Sequence, residues 1–416
     1  MKRPTNPTSR RTLLTAGLAV PIAAGLTGAV ASSAAATPAN ARRFVPERWD
    51  HHLKSTPGNL HWGGFPIDAK PGVTMRSGET VRVDALSQQG LTGSVSPVDY
   101  MAQFGIKPSE VLADATAFWE SLPARRAANQ NYGGGHVMTG PVYVKGAMPG
   151  DTLAIEYLAL DTRVDYGFNG TSPTSGVMAT SYPGWRQGDV PLNIPSDLLS
   201  RTHMYRSGIW HGKEVIHFSD SIKIPTHKFM GTIAVAPPTG EFVGSTPDAS
   251  PPATGVQSST EPGKYGGNMD NRDLTVGTTL YLPVWQPGGQ LFMGDSHSVQ
   301  GDGEVSQTAV EHSLSGTFRI TVLKNTPSEL PWAETDTDWL IMGIDWDLDR
   351  AIKIAVQKTI DFLGRTQGMT IAEAYSFASL AVNYHVSEVV DKTQVVTGYI
   401  PKSVFLRKPS HSPHSW

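Results

Sequence analysis

Along most of this chain, apolar and polar positions alternate in short runs. Residues 152–160 and 315–324 alternate, and residues 277–284 alternate like a buried strand. A period of two sends successive side chains to opposite faces, so such runs read as strands. Residues 73–75 and 79–84 read as strands around the turn Ser77-Gly78, and residues 139–145 as a strand led by Pro141. That last strand and residues 152–160, joined by the Pro/Gly turn at 147–151, read as a hairpin-like unit. Residues 228–236 return to a strand of small side chains. The period lengthens towards 3.6 in few places. Residues 109–121 read as a helix capped by Ser109. Residues 345–363 read as a helix with Ile352, Ala355, Val356, Ile360 and Leu363 inward. Thr370 caps a further helix running to about Asn383, with Glu373 at the capping-box position. Residues 163–212 and 237–263 follow neither period and read as irregular, the former lining or covering a pocket. The pattern as a whole predicts a mainly β fold, with β-sandwich-like packed sheets and a C-terminal helical pair.

Composition narrows the picture. The chain has 416 residues, 42 Gly and 31 Pro, which suits many turns between short strands. Net charge is −3 with 17% charged residues, so no basic face for nucleic acid or an anionic membrane is indicated. Cysteine is absent, which excludes disulfides, Cys-ligated zinc and a thiolate nucleophile. No Gly/Ser-rich run of the kind that carries a Ser-Ser-Lys catalytic set is present either. Residues 1–41 read as an export segment outside the fold. Arg10-Arg11 resembles a twin-arginine signal, a short Ala/Gly-rich apolar run broken by Pro21 follows, and Ala39-Asn40-Ala41 offers a cleavage site. The expected layout is signal 1–41, one domain 42–405 and a flexible tail 406–416. The expected location is periplasmic or extracellular after passage through the twin-arginine machinery.

The candidate chemistry concentrates at residues 291–305. Asp295, His297, Gln300, Asp302 and Glu304 lie among Gly294, Gly301 and Gly303, and Gly266-Gly267-Asn268-Met269-Asp270 repeats glycine beside amide and acid. Several carboxylates and a neutral imidazole near one point are what proton transfer or cation binding needs. The unit reads as loop, strand, loop, strand, with both polar loops at neighbouring strand ends. His136, after the glycine run 133–135, stands at the mouth of another strand, where binding residues are commonly placed. His51 and His52 are adjacent and diverge, so they do not share a ligand.

GGNMDNRDLTVGTTLYLPVWQPGGQLFMGDSHSVQGDGEV at 266–305 resembles the central signature of the acetamidase/formamidase family. HVMTGPVYVKGAMPGD at 136–151, KFMGTIAVAPPTGE at 228–241 and YIPKSV at 399–404 follow in the same order. The resemblance implies a β-sandwich-like fold with added helices, and hydrolysis of a linear amide to carboxylate and ammonia. One departure stands out: Asp84 matches an acid that ends a strand in the family, but Ser87 replaces the Asp expected three residues on. The expected site has Asp295, His297, His136 and Asp270 holding a divalent metal, zinc or calcium. Glu304 is then the general base, with Asn268, Asp270 and Gln300 against the substrate. A small-molecule amide and a homo-oligomer are the expected partners. The competing expectation is an exported binding protein on the same scaffold, without turnover.

Overall fold

The computed structural model describes residues 48–132, 135–179, 198–238 and 255–406. Residues 1–47, which include the segment expected to be an export signal, and residues 407–416 of the expected tail lie outside these.

Two large sheets face each other across one apolar core. The first has nine strands, in the order His51–Leu53, Thr80–Asp84, Leu314–Leu323, Thr152–Thr162, Thr279–Pro283, Trp332–Glu334, Asp338–Asp345, Gln394–Pro401 and Asn383–Glu388. The second runs Gly266–Asn268, Phe229–Ala234, Leu291–His297, Val137–Val144 and Leu60–Trp62, with Val73–Met75 parallel to Val137–Val144. Val81, Ile155, Tyr157, Leu280 and Phe318 of the first sheet share a buried cluster with Met138, Val142, Met230, Ile233 and Met293 of the second. Alternating faces leave no other way to remove these side chains from water. A four-stranded sheet includes Tyr166–Thr171 and Arg201–Trp210. Both strands fall in the stretch expected to be irregular; half-exposure on both faces of the second blurs the alternation.

The helical pair covers the outer face of the nine-stranded sheet. Phe362, Leu363, Ala374 and Ala378 pack there against Tyr281, Trp332, Trp339 and Ile400. The first helix is Leu348–Gln367, and its buried face is Ala351, Ala355, Thr359, Phe362, Leu363 and Thr366. Ile352, expected inward, is 39% exposed. The face is rotated because the helix lies almost on the sheet backbone: a Cβ on Gly343 would sit 2.1 Å from the Ala351 carbonyl oxygen. Small side chains must point there, and larger ones are turned aside. The capping box at Thr370 forms as expected on helix Ile371–Ala381. The helix expected from Ser109 instead spans Ala113–Ala127, without a side-chain cap, after a short turn of 3₁₀ helix Pro108–Glu110. Helix Pro97–Ala102, capped by Ser96, had no expectation. No helix among the described residues is long and apolar enough to cross a membrane.

One connection differs from the sequence reading. Val137–Val144 and Thr152–Thr162 are not a hairpin: they belong to opposite sheets, as do Thr279–Pro283 and Leu291–His297. Turn residues set the reversal but not the pairing partner. Each connection steps from one layer of the sandwich to the other.

Candidate active site

The second sheet builds the site. Strand Phe229–Ala234 lies between Gly266–Asn268 and Leu291–His297, which puts the two polar segments on either side of it. A Cβ on Gly231, in that middle strand, would stand 2.3 Å from Asp270 Oδ1 and 3.0 Å from Asp295 Oδ2. The missing side chain is therefore the space into which both carboxylates project. Gly231→Ala should displace both acids and cost about 1–3 kcal/mol of overpacking. Thermal melting and amide turnover would check it, and unchanged values in both would refute the crowding argument.

His297 ends its strand, fully buried, with its ring edge-on to Phe229 at 5.0 Å. Its Nδ1 donates to Gln300 Oε1 at 3.0 Å, while Gln300 Nε2 donates to the Asp270 carbonyl at 2.7 Å. That network leaves Nε2 to face Asp295 Oδ1 at 3.3 Å and Glu311 Oε1 at 3.2 Å. Nε2 and Asp295 Oδ1 have no hydrogen-bond partner in the protein, and neither do the two buried oxygens of Asp270. An imidazole nitrogen facing two carboxylates must carry a proton or share a cation with them. Burial opposes charging His297, but Glu311 and Asp295 outweigh it and hold its proton affinity well above the usual imidazole range.

His136 completes this side. Its Nδ1 donates to the Ser259 carbonyl at 3.0 Å, and Nε2 points at Asp295 Oδ2 at 3.6 Å. Burial of Asp295 is outweighed by His136 and His297, so its carboxyl lies below the usual range. Asp270 Oδ1 is 3.7 Å from His297 Nδ1. Burial, then Asp295, push Asp270 well above the ordinary carboxylate range; burial, then Asp270, do the same to Glu304. Asp270, His297 and Glu304 offer ligand atoms within 4.8 Å of one another, and so do Asp295, His297 and Glu311. Asp270, Asp295 and Glu304 all adopt positive φ, at 41°, 48° and 45°. Left-handed backbone at three acids of one cluster is strain of the kind that gathers at functional sites.

The expected residues thus assemble, and the predicted adjacency of His136 to the Asp295–His297 segment is present. Two have duties the sequence did not suggest. Asn268 receives the Thr232 hydroxyl on Oδ1 at 2.5 Å and donates to Asp391 Oδ2 at 2.6 Å, so its amide is engaged at both ends. Gln300 links His297 to the Asp270 backbone. Asp302 instead pairs with His385 at 3.2 Å, and both are over 40% exposed. Asp84, bonded to His52 and Ser315, is tied into strand packing rather than the cluster.

Three acids had not been assigned to the site. Glu311 arrives through an isolated bridge to His297 and a pair of bonds with Phe168. Glu388 is fully buried; Oε2 takes the Val390 and Asp391 amides, and Oε1 has no partner. Burial, then Asp391, raise it well above the ordinary range. Asp391 is pushed up to about 6 by burial, partly offset by His136. A glycine-flanked acid is a local signal, and these three carry none.

Six buried carboxyl groups against two imidazoles make an oxygen-rich set with one well-defined nitrogen on each ring. The fit to a divalent cation is good: the bare oxygens and nitrogens converge, and each ring is oriented through its other nitrogen, as in metal sites generally. The same set could instead hold protons.

The profile of the Acetamidase/Formamidase family matches residues 123–337. A formamidase of Methylophilus methylotrophus is 27% identical over 327 residues, covering 65% of this chain and 77% of its own. An acetamidase structure from Yersinia enterocolitica superposes with TM-score 0.64 at 24% identity, over 86% of this chain and 93% of that one. One from Bacillus halodurans gives 0.63 at 25%, over 85% and 98%. The Yersinia likeness bears on the fold alone.

Proposed function

The chain belongs to the acetamidase/formamidase family, and from that premise we propose that it hydrolyses the C–N bond of a linear, non-peptide amide to ammonia and a carboxylate. The observation that carries the reading is the buried convergence of His297 Nε2, aimed by its other nitrogen, on Asp295 at 3.3 Å and Glu311 at 3.2 Å. A pure binding surface does not require that arrangement.

Asp295, His297, His136 and Asp270, joined by Glu311, are the residues that would hold a divalent cation, zinc or calcium. When bound, such an ion polarises a carbonyl and makes water more acidic. The chain's own groups do the rest. Glu304 takes a proton from the attacking water, the new C–O bond forms, and the same carboxyl gives its proton to nitrogen as the C–N bond breaks. Gln300 keeps the ring of His297 in one tautomer. Burial of the cluster excludes bulk water, which strengthens each of these interactions.

The test is ammonia release from formamide, acetamide and longer amides, with ion-stripped and with zinc- or calcium-loaded protein. Release from one of them supports the reading. No release from any would favour a binding protein on this scaffold. Export is part of the same proposal: Arg10-Arg11→Lys-Lys should hold the protein in the cytoplasm, and unchanged export would refute it.

A further inference from the structure

We propose that Gln88 is the positioning residue for Glu311, fixing which oxygen of that carboxylate faces His297; the inference rests on the ion-binding reading above. Gln88 Nε2 donates to Glu311 Oε2 at 3.0 Å. The other oxygen, Oε1, takes the Ala309 amide at 3.0 Å and faces His297 Nε2 at 3.2 Å. Held at both oxygens, the carboxylate cannot turn about its terminal bond. Asp270 is the contrast, since neither of its buried oxygens has a protein partner. Of the two carboxylates that face His297 Nε2, Asp295 has an unpartnered oxygen there, whereas Glu311 has its direction set by protein donors.

The support behind Gln88 is rigid. Ala85 N bonds the Leu314 carbonyl at 2.8 Å and Ser87 N bonds Ser313 Oγ at 3.0 Å, so the loop is pinned to the segment that carries Glu311. Leu86 and Leu91, on either side of Gln88, are buried against Ala115, Phe118 and Leu122 of helix Ala113–Ala127. The amide oxygen of Gln88 is itself buried without a partner.

The choice of residue also matters. An arginine or lysine would hold Glu311 as firmly but would neutralise it and compete with a cation. A neutral amide orients the acid and leaves its charge in place.

The test uses the ion-stripped full chain, with zinc as the probe. Gln88→Met keeps the length and removes the donor. Its zinc affinity by calorimetry should fall by ~10–100-fold, as for other outer partners of ligating groups. For an amide that the wild type turns over, kcat should fall more than KM rises, and the melting temperature should stay within a few degrees. Leu91→Ala is the comparison: it loosens the loop support without removing the donor, so it should lower the melting temperature more, and zinc affinity less, than Gln88→Met does. Wild-type zinc affinity in Gln88→Met overturns the positioning role while the ion reading stands. So does a loss that merely tracks melting temperature as in Leu91→Ala. A wild-type chain that binds no divalent ion overturns the ion reading first, and this role with it.

Discussion

Glu304→Gln should reduce amide turnover by ~10²–10⁴-fold while leaving the fold and ion binding in place, because a general base contributes on that scale. Glutamine keeps the shape and cannot accept the proton. Glu304 is only 6% exposed, sits at positive φ and shares the Asp270–His297 group. Stability gives an independent reading. Burial raises the folded-state proton affinity of Glu304, with Asp270 adding to it. Such a carboxyl stabilises the fold fully below the ordinary glutamate range, and that contribution is lost as pH rises towards its folded value. A glutamine has no charge to lose. In ion-free protein the variant should therefore melt like the wild type in acid and above it at higher pH. Near-normal turnover would remove Glu304 from the chemistry. Collapse of the fold would make it structural.

His297→Ala should have the larger effect on the protein itself. The ring is fully buried between Asp295 and Glu311, and its loss leaves two carboxylate oxygens facing a cavity. Removing one partner from a buried charged set costs ~3–5 kcal/mol. Zinc affinity should fall by more than the ~10–100-fold expected for an outer partner, because a ligand rather than its support is removed. His136→Ala should be milder, since that side chain is 12% exposed and solvent can enter in its place. Calorimetry with zinc and thermal melting on both variants check the ordering. A His297→Ala protein that retains zinc binding would show that the ring is packing.

What the sequence determined by itself was local. The run 266–305 announced its acids because glycine beside an acid marks backbone that ordinary strands do not need, and the positive φ of Asp270, Asp295 and Glu304 is the structural counterpart. The capping box at Thr370 and most of the strands followed from periodicity for the same reason: one turn or one strand contains the whole interaction. Pairing was not local. The turn at 147–151 reverses the chain, but whether its flanking strands meet each other or cross between sheets depends on which apolar face each must cover. The rotated face of helix Leu348–Gln367 depends on Gly343, a residue of the strand beneath it. Glu311, Glu388 and Asp391 look like any other acids along the chain. Only the sandwich, by bringing their segments to the end of strand Leu291–His297, placed them where burial without water makes a carboxylate demand a proton or a cation.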